Sequence, residues 1–383
     1  MTRKLMMLCV GVAGLVAATR AVAPAGLEAA AAQAQKMPRF EWDPTWPKPF
    51  PNDKWAVGPM VGVGVDSHDH IWVMNRATAI AKNDRYNASL QNPPLAECCM
   101  PAPPILGFDQ AGNLINSFGG PGPGYEWPAT EHGISIDQQD NIWTGASGEG
   151  DSHVLKFSHD GKFLMQIGHK GQSKGNSDTV NMSRPADLVV DSAANEIYVA
   201  DGYGNKRVIV FDAMTGVFKR MWGAYGNKPD DAKNPPYNPN DPPSKQFNTV
   251  HGVNVSKDGF VYVADRANDR IQVFKKDGTF IKEVFISKTT RISGSASSAK
   301  FSADPQQTYL YVLDGANHRV WILHRQSLQV LGYFGRHGHW GGQLDVPHNI
   351  AVDSKGNLYI SETLEGRRVQ RFLYKGLMPV STN

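Results

Sequence analysis

Three histidines occupy one position in a sequence that repeats along this chain. Each lies 11 residues before the aromatic residue of a recurring strand, and the pairs are His132 and Trp143 (143 − 132), His251 and Tyr262 (262 − 251), and His348 and Tyr359 (359 − 348). They fall in the second, fourth and sixth of six repeats, so a closed ring would place them about 120° apart, facing its axis. Three converging imidazoles predict a bound metal, most simply zinc with an open coordination position. Copper, iron and cobalt also accept ligands that are all nitrogen.

A second set of polar residues follows the recurring strands at a related spacing. Arg76 and Arg266 each lie four residues past a strand aromatic, and Tyr203 lies five past another (76 − 72, 266 − 262 and 203 − 198). These residues lie on the loops after the second strand of a repeat, which run back toward the channel mouth where the histidines are expected. A neighbouring arginine favours the phenolate form of a tyrosine, which could then act as a base. The alternative stays open that Arg266 pairs with Asp265 or Asp269 on the surface and that Tyr203 is a loop aromatic.

The elements that must position these residues are short strands arranged in six repeats. A repeat consists of a small apolar strand, an Asp or polar turn, a strand with a central aromatic, and an Arg-led strand ending in Phe, as in residues 252–255, 261–263 and 270–274. Apolar residues alternate within these segments, and Gly, Asn and Asp turns separate them. About four strands in each of six repeats predict an all-β fold, a six-bladed β-propeller. A stacked solenoid is the alternative, but no polar capping repeat is evident at either end.

The odd repeats differ from the even ones at the histidine position. The same offset of 11 residues falls there on Val61, Asp187 and Lys300 (72 − 61, 198 − 187 and 311 − 300). The histidines are therefore specific to alternate repeats. Three loops, at 78–104, 169–183 and 225–245, are longer than a propeller blade needs, and loops of this kind commonly form the rim of a binding face.

The chain divides into three predicted segments. Residues 1–34 have the features of a signal peptide, with Arg3 and Lys4 before an apolar run and an Ala-Gln-Ala cleavage site at 32–34. The mature protein is therefore expected in the periplasm or secreted, without a membrane span. Residues 35–54 form a lead-in rich in Pro and Trp, and residues 55–383 form the six-bladed propeller. The sequence leaves open whether the lead-in closes the ring.

Charge and cysteine content narrow the class of protein further. Without residues 1–34 the chain carries 36 basic and 35 acidic residues (39 − 3 and 36 − 1), a net charge of +1. This balance gives no electrostatic basis for binding nucleic acid or an anionic membrane. Cys98 and Cys99 are neighbours in a Pro-rich loop; we interpret them as loop thiols, and a strained vicinal disulfide is the alternative.

These residues resemble a known family. The repeats look like NHL repeats, and the particular residues are similar to peptidyl-α-hydroxyglycine α-amidating lyase over about residues 55–375. The segments that carry the resemblance are 131–137, 198–203, 263–272 and 346–350. The resemblance implies cleavage of the N–C bond of a C-terminal α-hydroxyglycine, which releases a peptide amide and glyoxylate. The implied substrate is a peptide or small molecule that carries such a group.

The resemblance also implies a role for each site residue. His132, His251 and His348 would hold zinc, Tyr203 as phenolate would take the proton of the substrate hydroxyl, and Arg266 would keep Tyr203 ionised. Arg76 would bind the substrate carboxylate or hydroxyl. The family has an Asp after the third histidine as a ligand of a structural calcium, whereas this chain has the neutral Asn349. Calcium is therefore a second candidate ion, but this chain lacks the charged ligand that the family provides for it.

Two other functions compete with a zinc-dependent carbon–nitrogen lyase. A propeller hydrolase of the lactonase type would hold calcium with carboxylates and Asn at the axis, where Asp187 and Asn349 supply few ligands. A non-enzymatic, exported NHL scaffold would bind no stoichiometric metal. Metal analysis of the mature protein separates these readings.

Overall fold

The structure is a computed structural model that describes residues 36–380. Six four-stranded antiparallel sheets, the blades, surround a central axis, so the predicted six-bladed β-propeller is confirmed. In each blade the first strand is innermost, and the first strands of neighbouring blades contact one another around the channel. The predicted signal peptide, residues 1–34, lies outside the described residues.

The strands follow the repeats closely. The lead-in and first blade contain β1 (Lys36–Trp42), β2 (Trp55–Ala56), β3 (Met60–Val65), β4 (Ile71–Asn75), β5 (Met100–Pro101), β6 (Ile105–Phe108) and β7 (Leu114–Phe118). The second blade contains β8 (Glu131–Ile136), β9 (Ile142–Ala146), β10 (Val154–Phe157) and β11 (Phe163–Ile167). The third contains β12 (Asp187–Asp191), β13 (Glu196–Asp201), β14 (Arg207–Asp212) and β15 (Phe218–Trp222).

The second half of the ring repeats this arrangement. The fourth blade contains β16 (Val250–Val255), β17 (Phe260–Asp265), β18 (Arg270–Lys275) and β19 (Phe280–Phe285). The fifth contains β20 (Ser298–Phe301), β21 (Tyr309–Asp314), β22 (Arg319–His324) and β23 (Gln329–Phe334). The sixth contains β24 (Pro347–Val352), β25 (Leu358–Glu362) and β26 (Arg368–Pro379). Short helical segments are α1 (Asp84–Asn87) and the 3-10 turns Ala77–Ala79, Ala88–Leu90, Ala224–Gly226 and Arg266–Asn268.

The lead-in closes the ring. Strand β1 pairs antiparallel with β26 and becomes the outermost strand of the sixth blade, so its residues belong to the propeller that the sequence analysis began at residue 55. Trp46, which follows β1, is buried between the sixth and first blades, with its ring centroid 4.9 Å from Tyr359 and 5.6 Å from Phe108. Because the N-terminal strand completes a blade whose other strands come from the C-terminal part of the chain, the two parts of the chain are held together.

The Asp and the aromatic of the repeat bind each other. Trp72 donates its indole N–H to Asp66 at 3.0 Å, and Trp143 donates to Asp137 at 3.1 Å in the next blade. Both rings are fully buried, so this hydrogen bond satisfies the indole N–H inside the core. The carboxylates also accept backbone N–H groups of the turn between the first and second strands. This double role explains why the repeat keeps an Asp six residues before its aromatic.

Two further observations concern the remainder of the chain. Cys98 and Cys99 are joined by a disulfide, so the interpretation as free loop thiols was wrong and the vicinal pair is adopted instead. Between residues 36 and 380 no helix has the length and hydrophobicity needed to cross a bilayer.

Candidate functional site

The structure brings the three histidines of the even blades together at one end of the channel. His132, His251 and His348 lie near the start of β8, β16 and β24, and all three are buried. Their ring centroids are 5.1 Å apart for His132 and His251 and 4.7 Å apart for the other two pairs. One nitrogen from each ring lies within 4.8 Å of the others, which is close enough for all three to bind a single ion.

Each imidazole is oriented by a backbone carbonyl of a neighbouring blade. The Nδ1–H of His132 donates to Ala186 O at 2.6 Å, that of His251 to Ser297 O at 2.7 Å, and that of His348 to Val61 O at 2.8 Å. Because a carbonyl can only accept, these bonds place the ring proton on Nδ1 in all three histidines. The three Nε2 lone pairs are then free to face the axis, as a metal site of this type requires.

The carbonyls come from the odd blades at the position that the histidines occupy in the even blades. Each of these positions lies three residues before the residue that pairs with the strand aromatic. In the even blades the paired residues are Ser135, Asn254 and Ala351; in the odd blades they are Gly64, Val189 and Lys300. Counting three back gives the histidines in one set and Val61, Ala186 and Ser297 in the other.

A constant offset from the aromatic therefore assigned the odd blades wrongly at Asp187 and Lys300. The paired residues are separated by eight positions in the second blade (143 − 135), nine in the third (198 − 189) and eleven in the fifth (311 − 300). The longer turns move the register, so Ala186 and Ser297 take the position that was assigned to Asp187 and Lys300. Val61 keeps its assigned position, because the first blade has the short turn.

Tyr203 lies at the centre of the site. Its Oη is 3.1 Å from His132 Nε2 and 3.0 Å from His251 Nε2, and it accepts a hydrogen bond from Arg266 Nη1 at 3.1 Å. Its ring lies beside two guanidinium groups, 5.2 Å from that of Arg266 and 5.6 Å from that of Arg184. Arg266 therefore contacts the phenol oxygen of Tyr203, which the surface-pair alternative did not expect.

The hydrogen bonds around the three Nε2 atoms leave room for a cation at this centre. Two Nε2 lone pairs face the Tyr203 Oη, which has one proton and can donate to only one of them. Among the described residues, His348 Nε2 has no donor at all, since that histidine is held through Nδ1. Burial lowers the pKa of His132 and His251 well below the usual value and that of His348 to about 3, which keeps the three imidazoles neutral. Neutral, inward-facing lone pairs are the donor set that binds a metal.

Arg76 faces the same space from the first blade. Its Nε donates to Glu131 O at 3.0 Å and its Nη2 to Ser147 Oγ at 3.4 Å, which fixes the side chain against the second blade. Burial lowers the pKa of this guanidinium from its usual range, although Tyr203 and Glu131 oppose the shift. Arg76, Tyr203, Arg266 and His348 line one cavity of about 300 Å³. The structure thus brings together every catalytic and metal residue named from the sequence except Asn349.

Two residues that shape the site were missed by sequence reasoning. Arg184 contacts the Tyr203 ring and donates its Nε to Ser147 O at 2.7 Å. Glu131 is fully buried beside His132 and accepts from Thr78 Oγ1 at 2.5 Å and from Trp127 Nε1 at 3.1 Å. Burial raises the pKa of this carboxyl. Neither residue recurs in the repeats, so no periodic signal could have identified them.

Asn349 lies deeper in the channel with a separate group of polar residues. Lys300 donates its ammonium to Asn254 Oδ1 at 2.7 Å. Burial raises the pKa of Asp187 to about 6, and the charge of Lys300 opposes this shift. Asp187 Oδ2 and Asn349 Oδ1 are buried without a hydrogen-bond partner in the described part of the chain. Calcium at Asn349 stays a prediction.

Comparison with known proteins identifies a repeat family and distant relatives. Residues 182–211 and 247–274 match the NHL repeat family. The chain is 26% identical over 239 residues to peptidyl-glycine alpha-amidating monooxygenase A of Xenopus laevis, which covers 60% of this chain and 23% of that protein. It is 23% identical over 325 residues to a probable peptidyl-alpha-hydroxyglycine alpha-amidating lyase of Caenorhabditis elegans, which covers 83% of each chain. The protein is an NHL propeller that resembles this lyase.

Coverage and structural similarity define how far the resemblance extends. The chain spans about a quarter of the length of the amidating monooxygenases that it matches. A streptogramin B lyase structure superimposes with a TM-score of 0.51 at 10% identity, over 89% of this chain and 99% of that one, and shares the fold alone. The relatives therefore support a lyase-like role at the level of the family.

Proposed function

We propose that this protein is a zinc-dependent carbon–nitrogen lyase that cleaves an N-acyl-α-hydroxyglycine group to an amide and glyoxylate. The observation that supports this most directly is the convergence of three neutral imidazoles, a tyrosine and two arginines in one cavity. The names of the relatives support the same chemistry, and the reaction is carried to this chain only as a proposal.

His132, His251 and His348 would hold the metal through Nε2, since each Nδ1 is already bound to a carbonyl. Zinc bound there would act as a Lewis acid toward a substrate oxygen. The remaining chemistry belongs to the side chains around it. The three histidines fit a metal ion because their Nε2 lone pairs face the axis and the protein does not supply a hydrogen-bond donor for each of them.

Tyr203 is the group that can move a proton in this cavity. Its Oη contacts two histidine nitrogens and Arg266 within 3.1 Å, so a substrate hydroxyl at the same centre would lie within its reach. In the reaction the hydroxyl O–H bond breaks and its electrons form the aldehyde C=O, while the C–N bond breaks toward nitrogen. The nitrogen gains one proton, which Tyr203 can return, so the atoms and charges balance.

The arginines would bind and orient the anionic substrate. Arg76 is anchored through Nε and one terminal nitrogen, and it lines the cavity together with Arg266. A guanidinium in this position suits the carboxylate that becomes part of glyoxylate. Arg266 donates to Tyr203 Oη and would stabilise its anionic form.

The test uses purified mature protein loaded with zinc and a synthetic N-acyl-α-hydroxyglycine. We expect glyoxylate and the amide to appear in equal amounts, with both lost when His132→Ala is assayed. Spontaneous breakdown of the substrate is measured without enzyme. Absence of glyoxylate from protein that contains stoichiometric zinc would exclude the lyase. Lactone hydrolysis that requires calcium would favour the lactonase alternative, and protein that binds no metal would favour a scaffold.

We also propose export to the periplasm or medium, because residues 1–34 have the sequence of a signal peptide. Mass spectrometry of the mature N-terminus checks this proposal, which requires a new terminus close to residue 35.

A further inference from the structure

Three other histidines surround Asp345 where the fifth and sixth blades meet. His337 Nε2 lies 3.7 Å from Asp345 Oδ1, and His339 Nδ1 lies 3.5 Å from Oδ2. His318 Nδ1 is 3.9 Å from Oδ1. Ligand atoms of His318, His337 and Asp345 all lie within 4.8 Å of one another. This group is separate from the three-histidine centre and belongs to none of the repeats.

Asp345 makes its hydrogen bond through the backbone and not through its carboxylate. Its side chain is 7% exposed. Its backbone N–H donates to Glu362 Oε2 at 2.6 Å, but neither carboxyl oxygen accepts a hydrogen bond from residues 36–380. Both carboxylate oxygens are therefore available as ligands for a cation that the nearby imidazoles can also bind.

The spacing of the histidines suits an ion between them and the carboxylate. Distances of 3.5 and 3.7 Å are too long for hydrogen bonds. Two ligand atoms that each lie about 2 Å from a tetrahedral zinc ion are about 3.3 Å apart. The distance from each imidazole nitrogen to its carboxylate oxygen is therefore close to that between two atoms that share one ion. Imidazole nitrogen with carboxylate oxygen is also a donor set that zinc accepts.

The loop that carries both exposed histidines is fixed over Asp345. Leu344 N–H donates to Arg336 O at 2.9 Å, and Gly338 N–H donates to Leu344 O at 3.1 Å. Gly338 separates His337 from His339 with a φ of +151°, and a Cβ there would lie 1.9 Å from Gln343 Oε1. The positive φ favours glycine at this position, and the loop thereby places an imidazole on each side of it.

His318 packs against the cluster rather than completing it. Its Nδ1 accepts the Val346 N–H at 3.0 Å, which leaves the ring proton on Nε2. Its ring centroid lies 4.4 Å from that of His337. We therefore assign the ligands to His337, His339 and Asp345, and assign His318 to the support of His337.

Asp66, His68 and His70 form a similar group, but the Asp66 carboxylate already accepts hydrogen bonds. Asp66 Oδ2 accepts from Trp72 Nε1 at 3.0 Å, and Oδ1 accepts the backbone N–H groups of His68 and His70 at 2.9 and 2.8 Å. Its carboxylate is therefore already occupied by the turn of the repeat. Asp345 differs because its oxygens are free to bind an ion.

We propose that His337, His339 and Asp345 form a second metal site, for a divalent transition ion such as zinc. The site joins the loop after β23 to the segment that leads into His348, three residues beyond Asp345 (348 − 345). His318 and Val346 line the site cavity, so an ion bound here braces its wall. The inference does not depend on the lyase reaction.

Metal stoichiometry tests the proposal. Protein stripped of metal is dialysed against zinc, and bound zinc is measured by mass spectrometry for the wild type, for the double variant His337→Ala/His339→Ala and for His251→Ala. His169→Ala is the matched control, because His169 is also an exposed loop histidine, 69% exposed. We expect two equivalents in the wild type and the control, one in the double variant and one in His251→Ala. Cobalt replaces zinc in a parallel titration, and its visible spectrum reports each site.

The comparison among variants separates this proposal from the three-histidine centre. If that centre binds no metal, the wild type and His251→Ala both hold one equivalent, and the double variant holds none. The proposal is overturned if the double variant binds as much zinc as the wild type. A folded wild type that loses its second equivalent in His251→Ala but not in the double variant overturns it equally.

Discussion

Replacement of Tyr203 by phenylalanine separates its proton-transfer role from its packing role. The substitution removes only the Oη, which contacts His132 Nε2, His251 Nε2 and Arg266 Nη1 at 3.1, 3.0 and 3.1 Å. The ring and its position between Arg184 and Arg266 remain. Zinc content should stay unchanged, because the three histidines are the proposed ligands and the substitution leaves all three in place.

The expected loss follows from the role of a general base. Such a group contributes about 10²–10⁴-fold to the rate, or about 2.7–5.5 kcal/mol at 1.36 kcal/mol for each factor of ten. We expect kcat for glyoxylate release to fall by this amount in Tyr203→Phe, with KM changed less than tenfold. Initial rates at saturating substrate and zinc analysis of the same preparation provide the two measurements.

Tyr125→Phe is the matched control. Its hydroxyl also donates a hydrogen bond, to Gly120 O at 2.8 Å, but Tyr125 lies outside the cavity. Wild-type kcat is expected for this variant. A Tyr203→Phe enzyme that retains kcat within threefold, or that loses zinc in proportion to activity, would refute the assignment of Tyr203 as the base.

Three other predictions concern substrate binding, acid stability and the channel. Arg76→Met should raise KM by about 10–100-fold with a smaller effect on kcat, because a charge-assisted bond to the substrate is lost; steady-state kinetics measure both. Glu196→Gln should lower the free energy of unfolding by about 2 kcal/mol at neutral pH, because Arg220 holds the pKa of this carboxyl at about 2. The stabilisation by this pair is complete above pH 4.5 and is lost as the pH falls toward 2. Urea unfolding curves of the variant and the wild type should therefore converge near pH 2. Lys300→Met should lower the free energy of unfolding by about 2 kcal/mol at pH 8 and by less at pH 5, as measured by urea unfolding. The reason is that Asp187, with a pKa of about 6, is largely protonated at pH 5. An equal loss at both pH values would contradict the charge interaction between Lys300 and Asp187.

The repeats made the fold predictable. Alternating apolar residues, a turn after each Asp and an aromatic in the second strand specify short antiparallel strands, and six copies specify the number of blades. The buried bond between Trp72 and Asp66 shows the physical reason for one of these signals, because the aromatic and the Asp of one repeat satisfy each other. Closure by the lead-in was not predictable, since strand β1 pairs with a segment more than three hundred residues away in the chain.

The candidate site was predictable where it repeats and not elsewhere. The shared offset of the histidines identified the even blades, but a fixed offset placed the odd-blade position at Lys300 although the structure places Ser297 there. Turn length caused this difference, because three extra residues in the fifth blade shift the register. Arg184 and Asp345 carry no periodic signal, and their contacts with Tyr203 and with His337 and His339 arise from loops.

The amino-acid order alone determined the six blades, the presence of histidines in alternate blades and the identity of Tyr203, Arg76 and Arg266 as site candidates. The tertiary structure decided which nitrogen of each imidazole faces the axis, because the Nδ1–H groups bind carbonyls that are distant in sequence. It also decided that an arginine contacts the phenol oxygen and that the Asp345 carboxylate lies among three further histidines. Periodicity fixes a residue's place within its own blade, whereas hydrogen bonds and charge contacts between blades depend on loop lengths and ring closure, which no local pattern encodes.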